Sequence, residues 1–317
     1  MSTQSNGSAS VPTLRTAWRR FSMCLSLAML MIGAAYATEG SGSVYPLGVE
    51  TVMPGLMPAP GGTVFDEFNA FYQANELVDS HGHALLPGFH LRVGAVAGKL
   101  VHNWGVHVLG GTLVSSVAAQ LNYIHLDAPF GKGEKTGFGN SIVETAVAYK
   151  KGALNWWYGF DVFTPGFSYN KNDLVNIGQH NYATAPSGAF TYMPNQGRTE
   201  VSSRFQYIVN YTNDATHYRS GNEFLWEYAG MQNVTKRLAI GGNGYFYKQT
   251  TNDLENGLMY LDGNRGRNVV FGPQIRYHFN RFAMILKYQK DFLVQNRPVG
   301  NEFWIEFGVP IGHPHHD

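Results

Sequence analysis

The chain has 317 residues, 37 of them glycine, with 14% charged residues, 14% aromatic residues and a formal net charge of +1. Soluble domains usually contain about 25% charged residues, and proteins that bind nucleic acid usually present a basic face. The charge balance therefore argues against a nucleic-acid partner, and the glycine and aromatic content favours strands over helices.

The first element along the chain has the pattern of a secretory signal peptide. Three arginines precede an uncharged apolar run over residues 21–35, which ends in small residues. A positive region, an apolar region of about 7–15 residues and a small-residue cleavage site are typical of such peptides. The run is also shorter than the ~20 residues that a membrane-spanning helix needs. We therefore predict that residues 1–37 are cleaved on export and that the mature chain begins near Thr38.

Export changes the cysteine content and the charge of the mature chain. Cys24 is the only cysteine and lies within the predicted signal, so disulfides would not stabilise the mature protein. Removing residues 1–37 takes away three of the 23 basic side chains and none of the 22 acidic ones, which leaves a net charge near −2.

Residues 38–62 contain four prolines and no sustained periodicity, and we predict an irregular lead-in segment there. From residue 63 to residue 311 the chain alternates apolar and polar residues. The clearest alternating segments are residues 89–101, 154–164, 201–211, 220–229, 269–279, 282–292 and 303–309. Weaker ones are residues 64–74, 104–115, 117–126, 138–149 and 238–250, with a short one near residues 190–193. A period of two predicts strands, about twelve in total, and no stretch of helical period competes with them.

Alternation alone would also fit a soluble β-sandwich. Three features favour a membrane barrel: strands close to the 9–11 residues that cross a bilayer when tilted, aromatic residues near the ends of the apolar faces, and charged polar faces that suit a wet lumen. An arginine or lysine that faces lipid at mid-depth costs about 2–4 kcal/mol. We therefore expect the apolar faces to contact lipid and the charged faces to line the lumen.

The predicted fold is all-β: a single closed antiparallel transmembrane β-barrel of about 12 strands in the outer membrane of a Gram-negative cell. The barrel would span residues 63–311, followed by a polar tail at residues 312–317. The lead-in would lie either in the lumen or in the periplasm. The expected partners are outer-membrane lipid and the barrel-assembly machinery during insertion.

The candidate solute-path residues are charged side chains predicted to face the lumen. They are Arg92, Asp161, Arg204, Arg219, Glu223, Glu227, Arg276 and Lys287. An arginine can guide a carboxylate or phenolate through paired N–H donors. Ion pairs that only maintain the barrel shape are an equal alternative. We predict no catalytic residue, metal site or cofactor, because the catalytic and metal motifs that we sought do not occur.

Several short motifs resemble one known family. They include residues 176–181 (NIGQHN), 218–221 (YRSG), 244–249 (GYFYKQ) and 296–298 (NRP). In this order they resemble the outer-membrane family of the meta-pathway of phenol degradation, the SphA-like transporters. The resemblance implies an outer-membrane barrel through which hydrophobic or aromatic compounds enter the cell.

The main functional hypothesis is a channel for passive uptake of small hydrophobic or aromatic compounds. One alternative is an outer-membrane hydrolase that uses a serine, Ser202 or Ser220, and a histidine, His217 or His278. Such a pair would have to meet within about 3 Å. The other alternative is a structural or adhesive surface barrel with long outer loops.

Overall fold

The computed structural model describes residues 42–280 and 282–311. The predicted signal peptide and the polar C-terminal tail lie outside these ranges. Within them, no helix combines the length and the apolar character needed to cross a membrane.

The described chain forms one closed antiparallel barrel. Its wall strands are β1 (Thr63–Leu77), β2 (His90–Val108), β3 (Gly111–Ala128), β4 (Gly131–Phe138), β5 (Ile142–Lys151), β6 (Leu154–Phe163), β7 (Ala183–Tyr192), β8 (Thr199–Asn210), β10 (Glu223–Asn233), β11 (Leu238–Gln249), β14 (Arg267–His278), β15 (Ala283–Gln295) and β16 (Pro298–Ile311). Each pairs with its neighbours, and β1 pairs with β16, which closes the ring. The other elements are β9 (Tyr218–Arg219), β12 (Leu254–Glu255), β13 (Leu258–Met259) and the single turn α1 (Pro194–Gly197).

Strands β4 and β5 pair with successive parts of β3, so together they act as one strand interrupted at residues 139–141. The wall therefore has twelve strands, and the predicted fold class is confirmed. Closure pairs every wall strand except β4 on both edges, as a sheet in lipid requires, and β4 pairs with β3 alone.

The sequence divided residues 89–126 wrongly. It predicted three strands, whereas the structure has two, β2 and β3, joined by a tight turn at Leu109 and Gly110. Both turn residues have positive φ, 49° and 81°, as a two-residue hairpin turn of type I′ requires. The usual signal for this turn is Asn-Gly or Asp-Gly, and a leucine in the first position hid it.

The sequence pattern also predicted too short a strand for β7, near residues 190–193. The strand covers Ala183–Tyr192, and its inward-facing residues are mostly small, including Ala183, Ala185 and Ser187. Small side chains give little hydrophobic contrast, so the alternation was weak in the sequence.

The two ends of the barrel differ in their connections. Turns at residues 109–110, 152–153 and 234–237 are short, whereas the connections at residues 164–182 and 250–266 are long. In outer-membrane barrels the short turns are periplasmic and the long loops are extracellular. Both ends of the wall, Thr63 and Ile311, therefore lie at the periplasmic end.

The inward faces of the wall are of two kinds. From β6 to β16 they carry buried charged and amide side chains, while apolar residues such as Phe205, Phe271 and Ile275 are exposed on the outside. This part agrees with the orientation predicted from the sequence. In β2 the orientation is reversed, because Leu91 and Val101 pack inside and Arg92 is exposed outside.

Candidate functional site

The lumen is the candidate functional site, and residues 42–62 of the lead-in run through it. At the extracellular end Ser43 Oγ donates to Glu223, the first residue of β10, at 2.5 Å. Further down, Trp157 Nε1 donates to the carbonyl of Pro54 at 2.6 Å. Near the periplasmic end Asn103 Nδ2 donates to the carbonyl of Pro58 at 2.8 Å. The lead-in therefore runs along the barrel from the outer loops to the start of β1.

One charged residue fixes the middle of the lead-in. Glu50 is the only charged side chain in residues 42–62. Its two carboxylate oxygens contact Lys99 Nζ on β2 at 2.5 Å and Arg204 Nε on β8 at 3.0 Å. Because these cations come from different parts of the wall, Glu50 holds the lead-in at a defined depth in the lumen.

Arg204 is the centre of a buried ion-pair network. Its Nη2 lies 3.2 Å from Glu144 on β5 and 3.1 Å from Asp161 on β6, and its Nη1 lies 3.9 Å from Glu227 on β10. The guanidinium also lies over the ring of Tyr45 in the lead-in, 4.8 Å from the centroid. One arginine thus links three wall strands to the segment that they surround.

Lys287 on β15 binds the backbone of the lead-in. Its Nζ donates to the carbonyls of Gly48 at 2.8 Å and Val49 at 2.9 Å, and it also pairs with Glu306 on β16. Gly48 has φ +84°, and a Cβ there would lie 2.5 Å from Gln289 Oε1. This approach of backbone to wall therefore requires glycine.

A second buried pair, Arg276 on β14 with Glu200 on β8, lies beside the first network. Glu200 Oε1 also accepts the backbone N–H of Met53 at 3.1 Å. Removing one partner of a buried pair costs about 3–5 kcal/mol, because it leaves an uncompensated charge. The pair is therefore sensitive to the loss of either residue, and Glu200 joins it to the lead-in.

The opposite wall is apolar and less tightly filled. The inward side chains of β1–β3 are mostly partly accessible to solvent, in contrast to the buried inward charges of β8–β15. They include Phe68, Tyr72, Leu91, Val93, Ala95, Ala97 and Ile124. At the extracellular end the same wall joins an apolar cluster of Ala74, Phe89, Leu126, Ala128 and Val175. The accessible part of the lumen thus lies along β1–β3.

The structure places six of the eight sequence-predicted residues on the inward face. They are Asp161, Arg204, Glu223, Glu227, Arg276 and Lys287. Arg92 was expected to face the lumen but is exposed on the outer face of β2, in register with Gln73 and His125. The expectation was wrong because the apolar residues of β2 face inward.

Arg219 lies in β9, among the extracellular loops and not on the wall. It lines a surface cleft of about 440 Å³ together with His217 and Asn256. Next to it, Asp253 accepts hydrogen bonds from the backbone N–H of Gly221 at 2.7 Å and from the hydroxyl of Tyr218. Burial raises the pKa of Asp253, and these hydrogen bonds only partly oppose that shift.

Sequence reasoning missed Glu50, Lys99, Glu144 and Glu200. Two of them carried a signal in the sequence. Glu50 is the single charge of the lead-in, and Lys99 is the exception within the apolar face of residues 89–101. A lone charge in an uncharged segment and a lone cation in an apolar stripe form one ion pair. Within the described residues, no group of three or more metal-ligating side chains occurs.

A sequence profile described as "Putative MetA-pathway of phenol degradation" matches residues 74–307. The chain belongs to this family. No curated protein sequence matches it. An outer membrane channel from Pseudomonas putida F1 superposes with a TM-score of 0.71 at 13% identity, over 80% of this chain and 96% of that one. At this identity the match shows the barrel fold.

Two further solved structures give lower scores. The KdgM porin has a TM-score of 0.43 at 9% identity, over 78% of this chain and 98% of that one. The transport unit of the autotransporter AIDA-I from Escherichia coli has a TM-score of 0.45 at 9% identity, over 79% of this chain and 90% of that one. Scores of this size carry no functional argument.

Proposed function

We propose that this protein is an outer-membrane channel for the passive uptake of small hydrophobic or aromatic compounds. One observation carries the proposal: the inward faces of β1–β3 carry a partly accessible apolar surface, while most hydrogen bonds of the lead-in go to β6–β15. An apolar surface inside a barrel that is otherwise lined by ions gives an apolar solute a favourable path. The path begins at the apolar cluster under the extracellular loops.

Two further findings support the proposal. The family description refers to phenol degradation, which consumes an aromatic compound. The structure with a TM-score of 0.71 is described as an outer membrane channel. The charged residues of the lumen then have a holding role: Arg204 and Lys287 bind the lead-in from β8 and β15, and Lys99 binds it from β2.

The hydrolase alternative has no comparable support. Ser202 Oγ donates to Glu200 Oε1 at 2.8 Å and lies 3.2 Å from Thr191 Oγ1. These contacts fasten a lumen hydroxyl to an ion-pair residue. A serine nucleophile would need a base such as histidine at this distance.

The test places a large side chain in the proposed solute path and compares it with the same substitution on the outer face of the wall. Ala97 faces the lumen on β2, and Ala119 faces outward on the neighbouring strand β3. We expect Ala97→Phe to lower the uptake of phenol and of small alkylbenzenes by a deletion strain, whereas Ala119→Phe leaves uptake unchanged. Equal uptake by the two variants would contradict the proposed path. Wild-type protein that gives no flux when folded in liposomes would remove the channel proposal and favour a structural barrel.

A further inference from the structure

Four residues with amide side chains lie near the interruption between β4 and β5, at residues 139–141. Gln120 and Asn122 lie on the inward face of β3, and a Cβ at Gly139 would lie 3.0 Å from the amide nitrogen of each. Asn140 follows Gly139, and Gln179 comes from the extracellular connection. We call these residues, Gln120, Asn122, Asn140 and Gln179, the amide cluster. It borders the accessible apolar wall.

Asn140 fastens the extracellular connection to the wall. Its Nδ2 donates to the carbonyls of Thr164 at 2.7 Å and Gln179 at 2.9 Å, and its Oδ1 accepts the backbone N–H of Gln179 at 2.9 Å. Both the amide nitrogen and the amide oxygen of Asn140 are therefore hydrogen-bonded, and Asn140 binds both the N–H and the carbonyl of Gln179. The position of Gln179 is therefore set by the fold.

The side-chain amide of Gln179, in contrast, makes no hydrogen bond to the described residues. It is 3% exposed, and neither Oε1 nor Nε2 has a hydrogen-bond partner among the residues that the structure describes. Asn122 Oδ1 is also without a hydrogen-bond partner among the described residues. Both residues lie beside Gly139: a Cβ at Gly139 would lie 3.0 Å from Asn122 Nδ2, and a Cβ at Gly178 would lie 3.2 Å from the Cα of Gly139. Leaving a buried polar group unsatisfied costs about 1–3 kcal/mol, so such groups are rare in native proteins. A donor and two acceptors at one place indicate a polar ligand group.

The surroundings of the amide cluster are apolar, and the described part of the chain places no unpaired cation there. Ile124 and Leu126 follow Asn122 along the inward face of β3, and Ile177 is fully buried beside Gln179 in sequence. The nearby lysine on β4, Lys135, pairs with Asp173 at 2.7 Å. A carboxylate ligand would therefore find no unpaired positive charge, while a neutral group could use both the donor and the acceptors.

We propose that the amide cluster is a subsite for the hydroxyl group of a neutral hydroxylated aromatic solute. A phenolic O–H donates to Asn122 Oδ1 or Gln179 Oε1, and its oxygen accepts from Gln179 Nε2. The ring lies against Ile124 and Leu126. This inference rests on the proposed function and adds to it the solute chemistry and the residues that select it.

The test compares three probes with the full-length mature protein in lipid nanodiscs. Phenol carries the hydroxyl, toluene replaces it with a methyl group of similar size, and benzoate replaces it with a charge. Each neutral hydrogen bond contributes about 0.5–1.5 kcal/mol. We expect Gln179→Leu to weaken phenol binding about 5- to 10-fold by calorimetry and to leave toluene and benzoate unchanged.

The matched control is Gln274→Leu. Gln274 on β14 is also buried, and both of its amide atoms are also without partners in the described residues, but it lies in a different part of the wall, away from β3. We expect it to leave phenol binding unchanged. Asn122→Val is a second variant, with an expected loss about as large as that of Gln179→Leu. Heat-dependent gel migration confirms that each variant is folded.

The outcomes separate the subsite from the channel. Unchanged phenol binding in Gln179→Leu, or an equal loss for toluene, would overturn the subsite, since the amide would then be satisfied by water alone. If that result comes with intact solute uptake, the channel proposal stands without the subsite. If phenol binds through Gln179 but the wild-type protein gives no flux, the channel proposal fails and the subsite stands.

Discussion

Strand β2 and the wall from β6 to β16 have the same alternation in sequence but opposite orientations. In β10, the charged residues Glu223 and Glu227 face inward and Trp226 faces the outside. In β2, Leu91 and Val93 face inward and Arg92 is exposed outside. A period of two separates the two faces of a strand, but it does not say which face is inside. Which face points inward depends on the segment that fills the lumen.

The lead-in explains the difference. Residues 42–62 carry one charge and many backbone polar groups, and these groups need hydrogen-bond partners in the lumen. The wall that the lead-in contacts supplies lysine, arginine and glutamate. On β1–β3 its polar side-chain contacts include Lys99 and Asn103, and the apolar surface beyond these two residues is the part that we assign to the solute.

The largest expected effect is the difference in stability between a variant of the inward Arg204 and a variant of the outward Arg92. We expect Arg204→Met to lower the free energy of unfolding by about 3–5 kcal/mol, because Glu144, Asp161 and Glu227 would lose a buried cation. Arg92→Met removes an exposed arginine and should change it by less than about 0.5 kcal/mol. Urea unfolding followed by heat-dependent gel migration measures both. Similar losses in the two variants would contradict the assignment of faces.

Neutralising the lead-in should have the next largest effect. Glu50→Gln loses the charged hydrogen bond with Lys99, worth about 1.5–3 kcal/mol, and the ion pair with Arg204. We expect faster amide exchange in residues 43–58 and a larger single-channel conductance. Glu134→Gln, an exposed carboxylate on β4, is the control and should change neither. Unaltered exchange in Glu50→Gln would show that other contacts hold the lead-in.

The outer loops should respond to pH through Asp253. Burial raises the pKa of this carboxyl, so the folded loops favour its protonated form. The resulting stability is fully present below the ordinary aspartate pKa and is lost as pH rises through the raised value. After correction for intrinsic rates, amide exchange in residues 252–264 should be a few-fold faster at pH 8 than at pH 5. Asp253→Asn should remove this difference, and a variant that kept it would point to another group.

The smallest expected effect concerns the turn that joins the two apolar strands. Leu109 has φ 49° and is 75% exposed, and leucine is disfavoured in this conformation. Replacing it with asparagine creates the preferred Asn-Gly turn and should stabilise the barrel by about 0.5–1 kcal/mol. The same unfolding assay detects the gain. A loss of stability in Leu109→Asn would mean that the leucine contact with its surroundings outweighs the turn preference.

The sequence predicted the fold class, the family and six inward-facing charges, because long alternating strands and ordered motifs are local features. It did not predict the direction of β2, since that depends on a lead-in that is far away in sequence. Lys99 was visible only as an exception, because its partner Glu50 lies 49 residues earlier. The amide cluster could not be predicted either, since it brings β3 together with the connection at residues 164–182, which is far away in sequence.

Single-cysteine labelling tests most directly whether the accessible path follows β1–β3. The predicted mature chain has no cysteine, so Ala97→Cys on the apolar wall and Ala229→Cys on the ionic wall can be compared without background. Ala97 is partly accessible and Ala229 is buried. In reconstituted protein, a small charged thiol reagent should modify Ala97→Cys quickly and Ala229→Cys slowly. Equal rates, or faster modification at residue 229, would contradict the account.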